Sequence, residues 1–98
     1  REGAELLAPA MLAATKSADW TTRLAAAKAL GTQRISSPDA IARLSALAAD
    51  DPFALVREGA LLALAAVDPG AGKKLATTRK TADPEARVRA TAASIAGK

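Results

Sequence analysis

Residues 51–67, DPFALVREGALLALAAV, decide the fold, because two other stretches read as copies of them. Laid over this stretch, residues 17–31 (SADWTTRLAAAKALG) bring Arg23 onto Arg57, Ala26 onto Ala60 and Leu30 onto Leu64. Residues 83–97 (DPEARVRATAASIAG) put Asp83-Pro84 on Asp51-Pro52, Val88-Arg89 on Val56-Arg57 and Ala92 on Ala60. Arg57 lies 34 residues after Arg23 and 32 before Arg89. Self-similarity at that spacing is the signature of a helical solenoid, in which each unit buries its apolar face on its neighbours.

Asp51 can accept from the unpaired amides of a first helical turn, and Pro52 loses nothing there because its missing N–H would go unpaired. Together they predict a helix start. Phe53, Val56, Ala60, Leu64 and Val67 then recur at spacings of three and four, which places them on one side of the helix. Leu55, Leu62 and Ala66 line an adjacent side, and the polar arc left over is Arg57 and Glu58 with Leu61 and Ala65 below them. A helix apolar around most of its circumference is expected to be buried on most sides.

Ninety-eight residues suffice for one small domain. Half of them are apolar, yet only 2% are aromatic; Ala dominates, and Ala favours helices whose axes approach closely. Strand-like alternation is absent, so the expected class is all-α. The absence of Cys excludes the disulfide-stapled secreted class. No apolar run approaches the roughly 20 residues a membrane helix needs. The expectation is a cytoplasmic protein, and the start at Arg1 without a Met suggests a piece of a longer one. The net charge of +4 is uneven: residues 1–69 carry seven basic and eight acidic side chains, residues 70–98 seven basic against Asp83 and Glu85.

Residues 1–8 echo the REGA of residues 57–60 but stand too close to Arg23 for a whole unit, so they read as a lead-in. A helix over residues 9–16 begins at Pro9. Ser17 or Asp19 caps the next, residues 20–30, which Gly31 ends. Ser37-Pro38-Asp39 starts a helix over 38–49 with Ile41, Leu44 and Leu47 or Ala48 inward. Asp68-Pro69-Gly70 breaks the chain before a helix over 71–81, and a last helix after Asp83-Pro84 carries Val88, Ala92 and Ile95. About six helices in three stacked pairs result.

The pattern D-P-x-x-x-V-R-x-x-A-x-x-A-L resembles the first helix of a HEAT repeat, and the run from Pro9 to Leu12 is similar to the second helix of a preceding unit. The resemblance covers most of the chain from Pro9 onward. It implies a right-handed, armadillo-like α-α superhelix of about three helix pairs, used mainly to hold other macromolecules. A single α-solenoid domain over 1–98, with repeat cores near 17–50, 51–82 and 83–98, is the expected organisation.

Arg23, Arg57 and Arg89 share a helix face with Ala26, Ala60 and Ala92, so their stems should lie between repeats. The expectation is a structural ladder in which each guanidinium meets a turn carboxylate, Asp51 or Asp83, or a helix-end carbonyl. Trp20 and Phe53, near their helix starts, are expected to pack on the preceding helix, with an exposed anchor for a partner as the alternative. Gly70-Ala71-Gly72-Lys73-Lys74 lacks the Gly, the hydroxyl residue and the strand of a phosphate loop. Lys73, Lys74, Arg79 and Lys80 form the notable basic cluster, read first as a solvated face and second as a phosphate contact on nucleic acid.

Without His or Cys the chain lacks the commonest general base, the thiolate nucleophile and most transition-metal ligands. The metal-dependent hydroxylases built on this repeat use His-Glu pairs, which do not occur here. No catalytic residue, metal or cofactor is expected. The expected function is a scaffold that binds a protein partner through the second helices of each pair, with Asp39, Arg43, Lys73, Thr77 and Lys80 as exposed candidates. Nucleic-acid binding by the basic C-terminal third is the alternative, no membrane contact is expected, and end-to-end self-association follows if the stacking ends are bare.

Overall fold

Three of the turns of this chain hold a carboxylate or hydroxyl that takes up an amide a helix start leaves unpaired. In the computed structural model, which describes the backbone of residues 2–97 and the side chains of residues 7–97, Asp19 accepts from the Thr21 amide and caps α2 (Trp20–Thr32). Ser37 accepts from the Ala40 amide ahead of α3 (Pro38–Asp50). Asp68 closes α4 (Ala54–Val67) through its N–H and opens α5 (Pro69–Ala82) by accepting from Ala71, so a single residue joins the two helices. With α1 (Glu2–Ala14) and α6 (Ala86–Ala96) these make six helices, and no strand occurs among the described residues.

The central helix starts two residues later than the Asp51-Pro52 signal implies. The Asp51 carboxylate takes the Phe53 amide, 2.9 Å away, instead of one inside the first turn. Phe53 becomes the residue before the helix, and Pro52 lies in the turn. Asp83 repeats the arrangement with the Glu85 amide at 2.9 Å, so α6 also starts late. At the other extreme, α1 begins at Glu2 and carries Pro9 inside it. Proline at a first turn forgoes no hydrogen bond, whereas Pro9 inside α1 costs one and crowds the preceding turn, so the sequence favours reading it as a start.

Gly31 does not end α2. A Cβ there would lie 2.9 Å from Cα and Cβ of Ala63, so the glycine serves close contact between α2 and α4. The helix ends at Thr32, and Arg34 just beyond its cap turns the chain away with a left-handed φ of 54°, while the Ile35 amide reaches back to the Leu30 carbonyl at 2.9 Å.

The helices form a thin slab of 37 × 28 × 16 Å. One layer holds α2, α4 and α6, the other α1, α3 and α5, and α4 packs against α2, α3, α5 and α6. Its buried set, Val56, Ala60, Leu61, Ala63 and Leu64, joins Leu30 and Leu44 in the core. Burial differs from the sequence expectation on two sides of α4. Leu61 and Arg57, assigned to the polar arc, are buried, whereas Leu55 and Leu62 stand 38% and 51% exposed and Ala66 is exposed as well. Phe53, expected inside, is 46% exposed. Apolar periodicity marks which residues share a side; which side is covered depends on where α3 and α5 lie. They cover the Leu61/Ala65 side so closely that a Cβ on Gly72 of α5 would meet the Ala65 Cα at 2.5 Å.

Candidate functional site

Three arginines at matching positions grip the turns between helices. Arg23 Nε and Nη2 donate to the two carboxylate oxygens of Asp51 at 2.7 and 3.1 Å, and its Nη1 donates to the Ser17 carbonyl. Arg57 does the same one unit on, to Asp83 at 2.9 and 3.1 Å and to the Asp51 carbonyl. Arg89 donates to the Asp83 carbonyl at 2.8 Å and has no carboxylate partner among the described residues. Each arginine thus anchors its own turn through a carbonyl, and the first two clamp the next turn bidentately. Burial works to raise the Asp83 carboxyl, but hydrogen bonds from Arg57 and the Glu85 amide outweigh it and hold the pKa below the usual value. The hydrogen bond to Asp51 holds Arg23 above its ordinary range.

Trp20 and Phe53 stack on each other, ring centroids 5.4 Å apart and planes 12° apart, with the Arg23 guanidinium 5.8 Å over the Phe53 ring. They bridge the starts of α2 and α4. At the equivalent place in the third copy stands Glu85, so the aromatic stack does not continue.

The sequence candidates for partner contact separate in the structure. Lys73, Thr77 and Lys80 are exposed along one side of α5, with the Thr77 hydroxyl donating to the Lys73 carbonyl. Asp39 is exposed in the first turn of α3. Arg43 is not an open side chain: its Nε and Nη2 donate to the hydroxyl and carbonyl of buried Thr15 at 3.2 and 2.9 Å, tying α3 to the end of α1. Within the basic cluster, Lys73, Lys74 and Lys80 are exposed, whereas Arg79 turns toward Asp83 at 3.7 Å.

Sequence reasoning missed the surface around Leu62 of α4. Leu62 forms a ridge between two shallow grooves, one shared with Lys28, Arg34 and Ala66, the other with Ala66, Lys73 and Ile95. Neither groove has a carboxylate in its lining. The nearby Glu58 accepts from Arg87 Nε at 2.7 Å and the Thr91 hydroxyl at 2.6 Å. Burial works to raise its pKa, but these bonds prevail and hold it low. The only sequence signal for this surface was that α4 is apolar on more sides than neighbouring helices can cover.

Among the described residues no cluster of His, Cys, Asp or Glu could hold a metal, and no helix is long and apolar enough to cross a membrane. Helices in two layers, joined through repeated arginine clamps, define an all-α repeat protein. The chain belongs to the HEAT repeats, whose family model matches residues 3–65. No curated protein and no solved structure gives a significant match. HEAT repeats generally serve as protein-interaction scaffolds.

Proposed function

We propose that this chain is a non-enzymatic HEAT-repeat scaffold that binds a protein partner through its helical surface. The observation that carries the reading is the exposure of Leu55 and Leu62 on α4, the helix otherwise most enclosed by its neighbours. Leu62 is continuous with Ala66 and Ile95 in one groove, and a contiguous apolar surface left in water gains from being covered. The lack of His and Cys supports a binding role over catalysis. Asp39, Lys73, Thr77 and Lys80 on α3 and α5 are the second set of candidate contacts, one that a polar partner would read, and Lys73 also reaches the edge of the Leu62 groove.

Nucleic-acid binding is the competing reading, supported by the exposed Lys73, Lys74 and Lys80. Arg79 is drawn to Asp83, which leaves three lysines for phosphate. Three contacts give weak binding that falls steeply with salt.

Photo-crosslinking residues placed at Leu62 and at Thr77, one at a time, test the scaffold reading in cells of the source organism. A discrete protein adduct from either position, reproduced with the purified partner, is the expected result. Adducts to nucleic acid alone, or to nothing from either position, would overturn it.

A further inference from the structure

We propose that the exposed face of α2, α4 and α6 is a docking groove for an acidic amphipathic helix of a protein partner, seated astride Leu62. The proposal rests on the scaffold reading and gives it a place and a chemistry.

The groove has an apolar centre and a one-signed rim. Leu62, Ala66 and Ile95 supply the centre, while Lys28, Arg34 and Lys73 stand around it. Lys28 and Lys73 have no salt-bridge partner among the described residues. Arg34 spends Nη1 on the Ala66 carbonyl at 3.2 Å, which offsets the negative end of α4 and holds the guanidinium at the groove edge. Glu58 is near enough to Lys28 for their charges to interact, but both of its oxygens are engaged, by Arg87 and by Thr91. Charge complementarity therefore selects an anionic occupant, and the apolar centre requires that it also bring apolar side chains. A phosphate backbone offers the charge without those side chains.

Backbone geometry selects a helix. The face is made wholly of helices, and no sheet edge exists among the described residues for an extended strand to join. Gly31 lets α2 close on α4, and Gly59 leaves room for the Leu24 side chain, where a Cβ would meet Cδ1 at 2.5 Å, so the two helices approach closely along the groove floor. A helix laid there presents apolar residues at i, i+3 or i+4 and i+7 to either side of the Leu62 ridge and carboxylates to the rim.

The probe is a synthetic amphipathic helix of about 15 residues, stapled to offset its marginal helicity in water, with Leu on one side and Glu flanking it. Its controls replace every Glu by Lys or every Leu by Ala. Amide shifts of the isotope-labelled protein are followed by NMR on titration. The expected result is shifts centred on Leu62, Ala66 and Ile95 with the acidic peptide and none with either control. Leu62→Glu and the pair Lys28→Glu/Arg34→Glu should each weaken binding about tenfold or more. These side chains are exposed or at the groove rim, and circular dichroism checks that the variants remain folded. Equal binding of the basic peptide, binding that survives Leu62→Glu, no binding at all, or shifts at the groove that grow with protein concentration alone, as a second copy would produce, each overturn the proposal. If the groove fails while crosslinking at Thr77 captures a protein, the scaffold reading stands and only its location is wrong.

Discussion

Arg57 and Asp83 form a buried, two-bonded ion pair across the interface of α4 with the turn before α6, at 2.9 and 3.1 Å, with side chains 7% and 0% exposed. The same Asp83 receives the Glu85 amide and lies 3.7 Å from Arg79, so one carboxylate fixes where α6 begins and how it meets α4. Removing Asp83 strands a desolvated guanidinium. Asp83→Ala should cost about 3 kcal/mol or more of unfolding free energy in urea, and the paired replacement Arg57→Met/Asp83→Leu should cost much less. Equal losses in the two variants would assign the cost to the turn and not to the charge.

Acid should act through the same residue. Because the folded pKa of Asp83 lies below its unfolded value, its contribution is fully present above the unfolded carboxylate range, near pH 4, and is lost as pH falls through the folded value. Glu58 and Asp19 are shifted in the same direction. Stability should hold from neutral pH to about pH 5 and decline below it. The decline should be shallower in Asp83→Asn, as thermal melts across that range will show.

Close packing makes a substitution with an inverted sign. Gly→Ala inside a helix ordinarily stabilises by up to about 1 kcal/mol. At Gly72 the new methyl would sit 2.5 Å from backbone Cα of Ala65, and Gly72→Ala should instead destabilise, by roughly 1 to 3 kcal/mol. Ala60→Leu, at a position with no exposure, should cost a similar roughly 1 to 3 kcal/mol. A melting temperature raised by Gly72→Ala would contradict the closeness of α4 and α5.

The all-α class and the helical repeat were legible because the D-P turn, the Val-Arg pair and the Ala three positions on recur together in residues 51–67 and 83–97. Such features are local, each dictated by the turn or helix it sits in. The length of α1 was not legible, since Pro9 reads as a start wherever an upstream turn of helix is not strongly patterned. Nor was the exposed side of α4. Leu55, Leu62 and Leu61 are one residue type on one helix, and only the placement of α3 and α5 decides that Leu61 is buried and the others face water. The surface around Leu62 therefore came to light away from Asp39, Thr77 and Lys80, with Lys73 of the sequence candidates at its edge.

Leu62, half exposed, should matter little to folding. Leu62→Ser is expected to change unfolding free energy by no more than about 0.5 kcal/mol, while removing the apolar anchor from the surface. A loss of several kcal/mol would make Leu62 a packing residue and remove it from the candidate surface.

Protein against nucleic acid is decided most directly by fluorescence anisotropy of a labelled duplex titrated with the protein over a series of salt concentrations. The expected result is no appreciable binding at physiological salt, because Arg79 is engaged by Asp83 and three exposed lysines neutralise too few phosphates. Micromolar binding whose logarithm falls by about 0.9 per phosphate contacted as the logarithm of salt rises, and which disappears in Lys73→Glu/Lys74→Glu, would contradict the protein scaffold and make the basic C-terminal third the functional site.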